Sequence, residues 1–315
     1  MSPILVIKHG ALGDLIQAFG PFAAIRPQHG GARIDLLTTP AFSPLMRRAP
    51  WFDRVLADPR PPAWNLVAAL RLARTLAQES YARVYDLQTS ARSSRLFHLL
   101  RLFGSRPEWS GVARGSSHRH AHPDRDRMHT LERQRDQLVS AGIATFPPPD
   151  LGWLDADLGR FALPPRFALL VPGASPHRPK KRWPAEHFGL LSSALVAKGI
   201  VPVIVGTAAE AALAARLRQA CPAALDLTGQ TSLFELAGLA RRALFAVGND
   251  TGPMHLVAAL GRPALVLFSA ASDPALCAPR GPFVRILRTA DLRDLAPRSV
   301  LDALSGLDVS SAPSA

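Results

Sequence analysis

Three charged residues stand where an apolar run of strand length gives way to a polar turn: Asp14, Lys181 and Asp250. In α/β proteins that junction lies at the carboxyl end of the sheet, where ligands bind. Asp14 lies in ILVIKHGALGDLI, where Gly10 and Gly13 permit a tight turn and close backbone approach. Its carboxylate reads either as a helix cap, stabilising by ~1 kcal/mol, or as a general base. A helix N-terminus lowers a carboxylate's pKa, so a base there needs burial or bound substrate to offset that effect.

LLVPGASPHRPKKRWP (169–184) brings a hydroxyl, Ser175, together with Lys180, Lys181 and Arg182. Diphosphates suit that combination, although a solvated basic loop has the same composition. Trp183 reads as a packing anchor. In GNDTGPMHLVAAL (248–260), Asp250 and Thr251 can cap a helix, and Pro253 suits its first turn. Together with Gly252, the N–H groups beyond Pro253 form an anion site, and His255 can reach phosphate or sugar. Asp250 would repel phosphate, so it reads as orienting the loop or meeting sugar hydroxyls. Glu210, after VPVIVGTAA, can bind ribose hydroxyls or serve as a first-turn glutamate.

Other patterns carry less. The glycine pattern at 10–13 lacks the third glycine of a dinucleotide fingerprint, and the second strand ends in Thr38 and Thr39 without an acidic partner. A P-loop is absent, as are the serine-hydrolase elbow and the zincin helix. Asp124 and Asp126, like Asp155 and Asp157, form D-x-D pairs in polar loop or linker sequence, not at a strand end. His118, His120 and His122 sit in a flexible basic stretch and read as solvated or anion-contacting. No metal is expected.

Apolar runs supply the elements that position these residues: PILVIK, RIDLLT, ARVYDL, then FALLV, VPVIVG, ALFAV, PALVLF and FVRIL. Helical periodicity lies between them, in LIQAFGPFAAI, NLVAALRLARTLA, EHFGLLSSALVAK, AEAALAARLRQA and SLFELAGLA. This alternation predicts an α/β fold of two doubly wound, Rossmann-like domains with the site in the cleft between them. The Pro-rich stretch at 146–166 reads as the linker, so the expected domains are 1–158 and 159–315, the last helix being free to pack back on the first. Residues 104–130 interrupt the pattern and read as a basic, weakly ordered excursion.

The 315 residues suffice for two cores, and 37 Lys+Arg against 24 Asp+Glu leave a net charge of +13. Residues 1–150 hold 20 basic and 12 acidic side chains, net +8; the rest is net +5. Anionic partners follow: phosphates, acidic sugars, nucleic acid or a membrane face. With two cysteines, Cys221 and Cys277, no apolar run of membrane-spanning length and no signal-like N-terminus, a cytoplasmic, disulfide-free protein is expected.

In order, ILVIKHGALGDLI, VYDLQTSARSS, PGASPHRPKKRWP and GNDTGPMHLVAALGRPALVLF resemble the ADP-heptose-dependent heptosyltransferases of lipopolysaccharide synthesis. The resemblance implies a GT-B fold and inverting, metal-independent transfer from ADP-L-glycero-D-manno-heptose. It implies Asp14 as catalytic base and Lys181 as phosphate ligand. It places Asp250, Thr251, Gly252 and His255 in the donor loop, with Ser175 and Glu210 at phosphate and ribose. The first domain would take an anionic, lipid-linked glycan acceptor at the inner membrane's cytoplasmic face, with Gly13, Gln88, Arg92 and Arg95 as contacts. The family departs from this chain at 104–129, which matches no acceptor pattern, and at Pro253, often a larger apolar residue. Alternatives are a GT-B enzyme with another nucleotide-sugar donor, a basic nucleic-acid-binding protein, and a non-catalytic scaffold of the same fold. Low aromatic content, 7%, and the lack of a recognition module disfavour nucleic acid.

Overall fold

The computed structural model describes residues 2–62, 64–175 and 177–307. It divides into two compact units, Met1–Trp153 and Leu154–Ala315. In the first, the order is β1 (Ile4–Ile7), α1 (Leu12–Ile16), α2 (Phe19–Gln28), β2 (Ile34–Thr38), α3 (Ser43–Met46), β3 (Arg54–Ala57), α4 (Leu66–Gln78), β4 (Arg83–Asp86), α5 (Ala91–Leu102), β5 (Glu108–Gly111), β6 (His118–Arg119) and α6 (Thr130–Val139). The six strands pair in parallel in the order β3-β2-β1-β4-β5-β6.

The second unit runs β7 (Phe167–Val171), α7 (Ala185–Val196), β8 (Val201–Ile204), α8 (Ala211–Ala220), β9 (Leu225–Asp226), α9 (Leu233–Arg242), β10 (Ala246–Asn249), α10 (Gly252–Ala259), β11 (Ala264–Phe268), α11 (Pro274–Cys277), β12 (Val284–Arg288) and α12 (Pro297–Ser305). Its sheet, also parallel, has the order β12-β11-β10-β7-β8-β9. Counted from each unit's first strand, both sheets are 3-2-1-4-5-6. The chain reverses its winding between β1 and β4 in one unit and between β7 and β10 in the other, which makes those two crevices the ligand positions of the fold.

The central strands are apolar on both faces because helices cover both, and β1, β2, β7 and β11 are buried throughout. The predicted helix over LIQAFGPFAAI divides into α1 and α2. Pro21 has no N–H to offer the carbonyl of Gln17, so the ladder breaks there. Phe19, Trp51 and Trp153 then pack with ring centroids 5.2–5.9 Å apart. The apolar face of α12 (Val300, Ala303, Leu304) goes into the second unit's own core beside Trp183 and Leu191.

One expectation is corrected. The basic stretch at 104–130 is no loose excursion: it contributes β5 and β6 to the sheet, and Trp109 is fully buried against Phe97, 5.2 Å away. These strands are short and polar, and one aromatic anchor with edge pairing replaces the apolar run that periodicity detects.

Candidate functional site

At the first unit's switch point, β1 ends in Lys8 and His9, both buried, before the turn at Gly10. Gly10 has φ +101°, and a Cβ there would lie 2.3 Å from the Phe42 ring, so no other residue fits. Gln88 holds this turn: its Oε1 accepts the His9 N–H at 2.8 Å. Ala11, not Asp14, occupies the N-cap of α1, and no side chain caps that helix. Asp14 lies in the first turn with its side chain exposed, and Gly13 beside it is buried.

Beneath this turn lies a polar layer that sequence reasoning misses. Lys8 Nζ donates to the Leu87 carbonyl at 3.1 Å. Burial pushes its ammonium down to about 8, against the opposing pull of Asp14; Arg133 adds to the lowering and Asp86 opposes it. Burial also pushes the Asp86 carboxyl up to about 6, although the N–H groups of Thr89 and Gln88 donate to it at 2.9 and 3.1 Å. His9 Nε2 lies 3.1 Å from Asp58 Oδ2. Arg92, on α5, donates to the Pro61 carbonyl at 2.6 Å and lines a groove with His9, Asp58 and Arg95. Arg92 and Arg95 are thus on the same end of the sheet as Asp14. The only sequence signal for Lys8 and Asp86 is their place as the polar residues that close or follow a buried strand.

The three histidines of the basic stretch have separate partners. His120 Nε2 is 2.7 Å from Asp136, His118 is 3.6 Å from Glu108, and His122 accepts the Asp124 N–H at 3.1 Å. Among the described residues no group of three or more His, Cys, Asp or Glu side chains is placed to hold a metal.

The second unit's switch point is tighter. Asn249, fully buried at the end of β10, accepts the Trp183 N–H at 3.0 Å and donates to the Pro172 carbonyl at 2.7 Å. One side chain therefore clips both ends of the 172–183 loop to the neighbouring strand. Trp183, fully buried, donates from its indole to the Leu295 carbonyl at 2.9 Å. The loop returns Lys181 to Asp250, with which it forms an ion pair; Ser272 donates to the same carboxylate oxygen at 2.8 Å. Both charged side chains are nearly buried, exposed only 11% and 6%. Asp250 is thus spent on Lys181 and Ser272, not on capping α10. Thr251 occupies the N-cap position without a side-chain bond, and Pro253 takes the second helical position. Gly248 lets the parts approach: a Cβ there would meet Val171 at 2.6 Å and Met254 at 2.8 Å.

Of the other residues singled out, His255 is buried on the first turn of α10, and Ser175 is exposed on the loop. Glu210 lies against Gly173, where a Cβ would be 2.9 Å from its side chain. Its carboxylate also closes a capping box, accepting the Thr207 N–H and hydroxyl at 2.8 and 2.6 Å. The structure therefore brings Lys181, Asp250, Thr251, Gly252 and His255 to one strand end, with Glu210 beside Gly173 at the loop's start. Asn249 and Ser272, which hold the ion pair, are the residues sequence reasoning passes over.

Two parallel sheets of the same strand order, each with a crevice at its switch point, are the architecture of the GT-B fold, and solved members of that class superpose on the chain. The solved glycosyltransferase family 9 protein of Veillonella parvula superposes with a TM-score of 0.82 at 18% identity, over 96% of each chain. Escherichia coli heptosyltransferase WaaC, solved with ADP, gives 0.74 at 22% identity, over 96% of this chain and 99% of that one. In sequence, the chain is 26% identical to the lipooligosaccharide heptosyltransferase 2 of Haemophilus influenzae, over 85% of this chain and 84% of that protein. Residues 69–302 match glycosyltransferase family 9 (heptosyltransferase), and the chain belongs to that family.

Proposed function

We propose that the protein transfers a heptose from ADP-L-glycero-D-manno-heptose to an anionic lipopolysaccharide-core acceptor, with inversion at the anomeric carbon. The observation that supports this reading best is the Lys181–Asp250 pair, fixed by Ser272 and Asn249 at the N-terminus of α10. It sets an ammonium at the positive end of the α10 dipole, and positive charge is what a departing diphosphate needs. Names of relatives agree in kind: lipooligosaccharide heptosyltransferase, and a heptosyltransferase holding ADP.

In this reading the second unit holds the donor. Lys181 meets the diphosphate, and Asp250 keeps Lys181 aimed at it. Thr251, Gly252 and His255 line the phosphates and sugar, with Ser175 on the diphosphate and Glu210 on the ribose. The first unit takes the acceptor beside Gly13, Gln88, Arg92 and Arg95. Asp14 accepts the proton of the acceptor hydroxyl as its oxygen bonds to the anomeric carbon. The bond to ADP breaks on the opposite face, and ADP leaves with the electron pair. The transition state has oxocarbenium character, as in glycoside cleavage. Lys181 and the α10 N-terminus supply the charge stabilisation that a metal would otherwise give. A lipid-linked acceptor places the protein at the inner face of the cytoplasmic membrane.

Calorimetric titration with ADP, UDP, GDP and NAD, with and without EDTA, tests the donor. The expected result is selective ADP binding that survives EDTA; preference for UDP or GDP refutes the donor. Asp14→Ala should then lower kcat by at least ~100-fold with ADP affinity and melting temperature unchanged. Turnover left intact by that substitution refutes the base assignment.

A further inference from the structure

Four of the first unit's exposed large apolar side chains gather at the start of α4, apart from Leu102, Phe103 and Val139. Trp64 is 80% exposed, Leu66 61% and Val67 59%, and Leu70 follows one turn later. Asn65 is the N-cap of α4, accepting the Ala68 N–H at 3.1 Å, so these residues are held on a formed helix end. The inner side of α4 buries Ala73 and Leu76 against the sheet; Leu66, Val67, Leu70, Arg71 and Arg74 remain outside. Core packing therefore explains none of the outer apolar residues. Single exposed apolar residues are ordinary, but a contiguous patch marks an interaction surface.

Charge identifies the partner. Residues 59–78 contain Arg60, Arg71 and Arg74 and no Asp or Glu. A Trp and three aliphatic side chains, followed by arginines with no acid among them, match the composition of a helix lying in the headgroup layer of an anionic bilayer. On the inner side of α4, Ala68, Ala69 and Leu72 line the groove that also holds Arg92 and Arg95. Arg92 ties the loop that precedes α4 to α5 through the Pro61 carbonyl at 2.6 Å. By βαβ topology, the N-terminus of α4 lies at the carboxyl end of the sheet, the end that carries Asp14.

We propose that Trp64, Leu66, Val67 and Leu70, with Arg60, Arg71 and Arg74, form the face by which this protein docks on an anionic phospholipid surface, beside the groove of Arg92 and Arg95. Among the described residues no helix is long and apolar enough to cross a membrane, so this contact is peripheral. It rests on the transferase reading only for its purpose, access to a lipid-linked acceptor; binding is measured without donor or acceptor.

The test is co-sedimentation of the full chain with phosphatidylcholine vesicles, with and without roughly 30% phosphatidylglycerol. Binding is expected to the anionic vesicles, falling as salt rises. The variant Trp64→Ser/Leu66→Ser/Val67→Ser should lose at least ~10-fold in partitioning with an unchanged melting temperature. Leu190→Ser, an exposed apolar residue of the second unit, should bind as the parent does. Brominated lipid should quench the parent's fluorescence and leave Trp64→Phe unquenched. Equal binding by the triple variant overturns the proposal, as does failure of the parent to bind. A parent dimer that the triple variant dissolves overturns it too, because the face is then a contact between copies. None of these outcomes alters ADP binding, so failure here and failure of the transferase reading are distinguishable.

Discussion

Replacing Asn249 by alanine should disable the donor loop without touching any group proposed to contact donor. Asn249 has no exposed surface and makes two good hydrogen bonds, to the Trp183 N–H at 3.0 Å and the Pro172 carbonyl at 2.7 Å. Alanine removes both bonds and leaves a buried donor and a buried acceptor. Each unmade group costs about 1–3 kcal/mol, so Asn249→Ala should destabilise the second unit by about 3 kcal/mol. For a unit of this size that is a fall of roughly 6–12 °C in its melting temperature. The folded variant should also bind ADP at least ~10-fold more weakly, because the loop carrying Ser175 and Lys181 must then be ordered by the ligand. Asn249→Asp sharpens the test. Its carboxylate still accepts from Trp183 but faces the Pro172 carbonyl with an oxygen, so it should be unstable at pH 7. It should recover on acidification, when the protonated acid donates to that carbonyl. Calorimetric melting and ADP titration read both effects. An Asn249→Ala protein within about 1 kcal/mol of the parent, with ADP affinity unchanged, refutes the argument that this side chain holds the loop.

Two further outcomes follow from buried charge. Lys181→Met leaves Asp250, 6% exposed, with Ser272 but no cation, and should cost about 3 kcal/mol. Most of that loss should vanish in Lys181→Met/Asp250→Asn, while ADP affinity stays low in both; additive unfolding energies refute a coupled pair. Asp86 gives a pH effect: its carboxyl lies at about 6, above the ordinary 3.8, so the folded state binds the proton more tightly than the unfolded state. That contribution is whole below about pH 4 and is lost as pH rises through 6, a swing of ~3 kcal/mol. The parent should therefore lose stability relative to Asp86→Asn between pH 4 and 6, as read by urea unfolding at each pH; parallel curves refute it.

What the sequence discloses and what it hides divide along a physical line. Apolar runs and turn formers are local signals, so all eight runs read as strands are strands. The residues missed act through partners distant in sequence. Trp109 makes β5 a strand although its neighbours are polar, because Phe97 and the neighbouring strand β4 receive it. Asn249 looks like an ordinary turn residue in GNDTG; its role depends on Pro172 and Trp183, 77 and 66 positions away. Asp14, by contrast, is legible as chemistry because its ties are through charge alone, to Lys8 and Arg133: no side chain caps α1, and its own is exposed. Packing does not require a carboxylate there. The same logic separates the two candidate arginine sets. Arg54 is bound up with Asp35, Glu79 and Tyr81 inside the fold. Arg60, Arg71 and Arg74 surround exposed apolar side chains on a segment without acids, and their chemistry is directed outward. Where burial leaves a polar residue or an apolar one unexplained, function is the remaining source of constraint, and Asp14 and the apolar start of α4 are two such positions at the carboxyl end of the first sheet.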